Sequence, residues 1–159
     1  MKDLLQKPVG QCMTKKVIAV KKGETLKKVF EIMDKYGILG LPVVNKDDKV
    51  VGLVTESDLI AHLTTLKTPS ALPLLGSLVY LKSPEGFNDA LKKHCAETVE
   101  EMMVTEVFTL EKSASLKQAI DLMAEKKVNR LPIVNQKGAL EGILTRSDVV
   151  HQLAKMKII

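Results

Sequence analysis

Shifted against itself by ninety positions, this 159-residue chain aligns with itself without a gap. Met13 falls on Met103, Leu26 on Leu116, Met33 on Met123, Leu41-Pro42 on Leu131-Pro132, Gly52 on Gly142 and Asp58 on Asp148. Between residues 11–63 and 101–153, 15 of 53 positions are identical. Unrelated stretches would share about three or four, so the chain is a tandem duplication. One copy alone buries too little surface for much stability. The two are therefore expected to pack their sheets against each other.

Each copy repeats the same local signals. Residues 17–20 and 107–110 are short β-prone runs. Thr25 and Ser115 open helices, Ser115 as a capping box with Gln118. Leu26, Val29, Phe30 and Met33 recur at helical spacing, as do Leu116, Ala119, Ile120 and Met123, giving each helix one buried stripe. LPVVN before VVGLVT, and LPIVN before LEGILT, read as strand pairs turned by Lys46-Asp47-Asp48 and Gln136-Lys137-Gly138. A last helix begins near Glu56 or Arg146. The expected fold is α/β of the α+β kind, two β-α-β-β-α units at residues 1–66 and 98–159.

Residues 67–97 form a linker. Its first part mixes Pro, Gly and Ser with leucines and reads as an apolar loop, to be covered by the pair itself or by a second chain. Ser83-Pro84-Glu85 reads as the start of a short helix carrying Phe87, Leu91 and Cys95 on one side.

The heptads GLVTESD (52–58) and GILTRSD (142–148) run off a strand into a helix. That places threonine near the helix N-terminus and aspartate in its first turn, beside orphan backbone N–H groups. Thr55 or Ser57 can cap the helix and Asp58 can complement its dipole, or the same groups can bind a ligand. Thr and Asp persist in both copies while Glu56 and Arg146 reverse charge, which favours a geometric demand beyond capping. A carboxylate at such a junction suits a pair of vicinal hydroxyls, as on ribose. The glycine leaves room for something to approach the strand.

These motifs in tandem, with Met13-Thr14 and Met103, Leu41-Pro42-Val43-Val44-Asn45 and Leu131-Pro132-Ile133-Val134-Asn135, resemble the CBS domain pair, or Bateman module, over nearly the whole chain. The resemblance implies two clefts related by a pseudo-twofold axis, each built from both repeats. It also implies a non-catalytic sensor of adenosyl ligands: AMP, ADP or ATP, or else S-adenosylmethionine, NAD or cyclic di-AMP. Carried over by position, the first site comprises Thr55, Ser57, Asp58, Val107, Phe108, Thr109, Asn129, Arg130 and Pro132. The second comprises Thr145, Ser147, Asp148, Val17, Ile18, Ala19, Leu39, Gly40 and Pro42. Thr109 and Arg130 have Ala19 and Gly40 as counterparts, so the Asp58 site is expected to take the phosphorylated nucleotide. The Asp148 site is expected to be empty or to take a less charged ligand. Lys15 and Lys16 are candidate phosphate neighbours.

No nucleophile with a base, metal cluster, Walker loop or Rossmann fingerprint is written here, so no enzyme is expected. His62, His94 and His151 do not align in the repeat frame, and Cys12 and Cys95 lack any CxxC spacing. The net charge of +5 is dispersed, and aromatics are 3% with no Trp. Nucleic acid is therefore an alternative partner rather than the expected one. No apolar run reaches the roughly 20 residues of a membrane span, which places the chain in the cytoplasm. A homodimer, head-to-head or head-to-tail, acting on an unknown regulated protein completes the expectation. The alternative is a structural or dimerisation module without a physiological ligand.

Overall fold

The computed structural model describes residues 2–63, 71–74, 77–80 and 96–155. The first half runs α1 (Lys2–Leu5), a 3-10 turn (Val9–Gln11), β1 (Val20–Lys21), α2 (Leu26–Tyr36), β2 (Gly40–Val44), β3 (Val50–Thr55) and α3 (Glu56–Leu63). Between the halves lie β4 (Ala71–Leu74) and β5 (Ser77–Tyr80). The second half runs α4 (Val99–Met102), α5 (Leu116–Lys126), β6 (Arg130–Val134), β7 (Leu140–Thr145) and α6 (Arg146–Ala154). The linker segment read as a loop thus contains a hairpin, β4 pairing antiparallel with β5. The linker helix expected from Ser83-Pro84-Glu85, with Phe87, Leu91 and Cys95, lies outside the described residues.

Local chemistry sets the element ends. Thr25 Oγ1 accepts from the Lys28 N–H at 3.3 Å to start α2, and Ser115 and Gln118 cap each other at the start of α5. Both helices end on a left-handed residue, Gly37 (φ 61) and Lys127 (φ 55), which turns the chain toward β2 and β6. Leu26, Val29 and Met33 are buried, as are Leu116, Ala119 and Met123. Phe30 departs from the expected stripe and is 37% exposed. Between β2 and β3 the Asn45 carboxamide oxygen accepts from the Asp47 and Lys49 N–H groups, and Asn135 does the same for Lys137 and Ala139. These Asx turns account for the repeated asparagine.

The register repeats too. β2 pairs antiparallel with β3, and β6 with β7, each with an irregularity at the equivalent step, Val43/Val44 and Ile133/Val134. The first β-run is shorter than expected. Only Val20–Lys21 pairs, parallel to β2, and Leu110 makes a single parallel bridge to Ile133. The preceding Val17, Ile18, Val107 and Phe108 border clefts instead.

The halves are joined by exchange. Thr14 exchanges both backbone bonds with Ile143 of β7, and Val104 does so with Leu53 of β3, at 2.9–3.0 Å. Leu26 donates its N–H to Glu97, and Leu116 to Lys7. Consequently Ala96, Val99 and Met102 sit in the core of the first half, while Val9 and Cys12 sit in the core of the second. The Glu101 carboxylate closes α4 onto its start by accepting from the Glu97 and Thr98 N–H groups, which hold its carboxyl below the usual range. Pro8 and Gln11 occupy the equivalent positions in the first copy, where the turn is 3-10.

This exchange explains the heptad glycines. A Cβ on Gly52 would collide with Met103 Sδ, and one on Gly142 with Met13 Sδ. The approach that glycine permits is therefore that of a methionine from the other repeat. Gly142→Ala is expected to cost about 1–3 kcal/mol of stability, read from its urea midpoint. The loss should shrink in a Met13→Ala background, where the obstructing sulfur is gone.

Candidate functional site

Two clefts lie between the halves, one at each heptad. The larger, about 580 Å³, takes Thr14, Lys16, Val17, Ile18, Ile38, Leu39, Gly40 and Pro42 from the first copy. From the second it takes Asn129, Arg130, Ile143, Thr145, Arg146, Ser147 and Asp148. Every residue expected at the second site lines it except Ala19. The smaller, about 220 Å³, brings together Thr55, Ser57, Asp58, Val107, Phe108, Asn129 and Arg130 but leaves Thr109 and Pro132 out of its wall. Lys15 lines neither.

Reading the sequence did not reveal Thr14, Ile38, Glu56, Ile143 and Arg146 in the large cleft, nor Leu53, Val104, Glu106, Lys127 and Val128 in the small one. Thr14 and Val104 arrive through the exchanged backbone pairing, which leaves no mark in composition or periodicity. Glu56 and Arg146 did carry a signal. They are the charge reversal inside an otherwise repeated heptad, and both face a cleft.

The threonine and aspartate of each heptad serve each other. Asp58 Oδ2 accepts from the Thr55 N–H at 3.0 Å and from Thr55 Oγ1 at 2.8 Å. Asp148 Oδ2 accepts from the same atoms of Thr145 at 2.8 and 2.7 Å, and the Asp148 N–H donates to Thr145 Oγ1 at 3.2 Å. Capping thus uses the same carboxylate oxygen, Oδ2, in both copies. Asp58 is buried, whereas Asp148 is partly exposed in the wall of the larger cleft.

Arg130 stands between the clefts and lines both. Its guanidinium lies across its own repeat counterpart, so that a Cβ on Gly40 would come within 2.7 Å of Arg130 Nε. It pairs with Glu56 at 3.1 Å and is only 12% exposed. Arg146, the counterpart of Glu56, donates instead to Asn129 Oδ1 at 3.1 Å. The large cleft therefore sets Lys16, Arg130 and Arg146 against Glu56 and Asp148, a cationic excess. The small one sets Lys127 and Arg130 against Glu56, Asp58 and Glu106, an acidic excess. Burial pushes the nearby Cys12 thiol above its usual range, with Asp148 adding to the rise, so Cys12 serves as a packing residue. Among the described residues no group of acidic, histidine and cysteine side chains could hold a metal ion, and no helix is long and apolar enough to cross a membrane.

Two exchanged β-α-β-β-α repeats closing around paired clefts define a tandem-repeat α/β module. The CBS domain model matches residues 9–65 and 99–155, and the chain belongs to the CBS domain family. An uncharacterised protein of Methanocaldococcus jannaschii is 31% identical over 96% of this chain and 90% of its own length. The Arabidopsis thaliana protein CBSX2, solved in complex with AMP, superposes with a TM-score of 0.72 at 26% identity, over 94% of this chain and 98% of that one. The CBS domain pair of protein MJ0100, solved with 5'-methylthioadenosine and S-adenosylmethionine, shares the fold at a TM-score of 0.70 and 20% identity, over 94% of this chain and 98% of that one.

Proposed function

We propose that this CBS pair is a non-catalytic regulatory module that binds an adenosyl ligand of the AMP, ADP or ATP class, with the Asp148 cleft as its principal site. The observation that carries the reading is the larger cleft, whose volume falls in the usual range of small-molecule pockets, about 300–1,000 Å³. Val17, Ile18, Leu39 and Pro42 offer an apolar wall for adenine. Asp148 accepts from ribose hydroxyls, and Lys16, Arg130 and Arg146 supply cations for phosphate. The AMP complex of CBSX2 supports the ligand class. Sequence reasoning favoured Asp58 for the phosphorylated ligand. Volume and charge favour the Asp148 cleft in this proposal, because Arg130 serves both walls and the Asp58 cleft carries the acidic excess.

Binding acts by biasing conformation or assembly, since a ligand shifts only states it binds unequally. Ile60 of α3 and Val150 of α6 are repeat counterparts, 61% and 64% exposed, and offer an apolar face for a homodimer. Isothermal titration calorimetry should detect AMP, ADP or ATP. Ligand at a hundred times its Kd should add about 2.7 kcal/mol of stability in thermal unfolding. The second reading, a structural or dimerisation module, is favoured by the Thr–Asp pairs already serving as helix caps. It prevails if no adenosyl compound binds.

A further inference from the structure

We infer that Arg130 is one phosphate-binding group shared by the two clefts, so that a phosphorylated ligand in one weakens binding in the other. The inference rests on the adenosyl reading above. Symmetry would provide a pair of equivalent positions, 40 and 130, but the chain places glycine at one and arginine at the other. The single guanidinium lies over Gly40 and belongs to both walls. Glu56, its ion-pair partner, also lines both clefts. Phosphate entering either cleft would therefore compete with the same carboxylate for the charge of Arg130. A guanidinium has donor edges for more than one oxyanion but a single positive charge, so a second oxyanion meets a cation that the first has already neutralised. A second phosphate would face Glu56 without that cation, and in the small cleft Glu106 as well.

Calorimetric titration of the full chain with AMP and with adenosine tests this. Wild type should take AMP in two steps whose separation in affinity exceeds that of the two adenosine steps by at least about tenfold, a difference of roughly 1.4 kcal/mol. Arg130→Gln should weaken the first AMP step and bring the AMP separation down to that of adenosine, which has no phosphate to compete for the group. Glu56→Gln should tighten the first AMP step, and the gain should vanish in the double variant with Arg130→Gln. Sharing is overturned if the AMP steps of wild type lie no farther apart than those of adenosine, if the excess separation survives Arg130→Gln, or if adenosine, like AMP, fills one cleft only; a second AMP excluded while adenosine fills both clefts supports it. Should Arg130→Gln fail to fold, Glu56→Gln alone decides: unchanged AMP affinity rejects the competition. Wild type binding neither AMP nor adenosine would instead defeat the adenosyl reading itself, a distinct result.

Discussion

Met102→Ala should destabilise the chain by about 2–5 kcal/mol, and should do so by loosening the half to which Met102 does not belong in sequence. Met102 is fully buried among Val20, Leu26, Val29, Leu41, Val43 and Val54, all from the first copy. It reaches them because α4 crosses over, anchored by the Leu26 N–H on Glu97 and the Val99 N–H on Glu24. Truncating the side chain removes buried methylenes and leaves a cavity that packed neighbours fill only in part. Urea unfolding gives the size of the loss. Hydrogen exchange gives its place, with protection expected to fall first in α2, β2 and β3. A loss confined to residues 107–155 would contradict the exchanged packing.

That crossing marks the limit of what could be read from residues alone. Helix starts at Thr25 and Ser115, the strand pairs and the turns between them were legible because each is written within a few neighbouring positions, whereas the part of Asn45 and Asn135 in those turns was not. Repeat symmetry then made the halves equivalent. The symmetry could not say which copy of Val9 or Val99 packs against which sheet, because exchange and non-exchange bury the same residues. The heptad glycine shows the consequence: space beside a strand was legible, but not its occupant, the methionine of the opposite copy, Met103 for Gly52 and Met13 for Gly142. The site divides in the same way. Thr55, Asp58, Thr145 and Asp148 stand in a local motif, whereas Thr14 and Val104 line the clefts only through pairing with the opposite copy. Arg130 was legible as an asymmetry, but not as one cation bordering two clefts.

Asp148→Ala should weaken AMP binding tenfold to a hundredfold, about 1.5–3 kcal/mol, through loss of a charge-assisted acceptor for the ribose hydroxyls. Asp58→Ala should leave the tight step nearly unchanged. The comparison works because both substitutions remove the same cap: in each heptad Oδ2 accepts from the threonine N–H and hydroxyl at 3.0 Å or less. Loss of the cap should lower stability by about 1 kcal/mol in each, the usual worth of a helix cap, and this shared part is the internal control. Calorimetry at saturating folded protein separates binding from stability. Should Asp58→Ala carry the larger binding loss, the nucleotide sits in the smaller cleft, and neither charge balance nor volume decides its place. If both variants lose AMP equally in proportion to their stability, the carboxylates act by holding helix ends, and the sugar is held elsewhere. Only an unequal loss on equal caps assigns the ribose to Asp148.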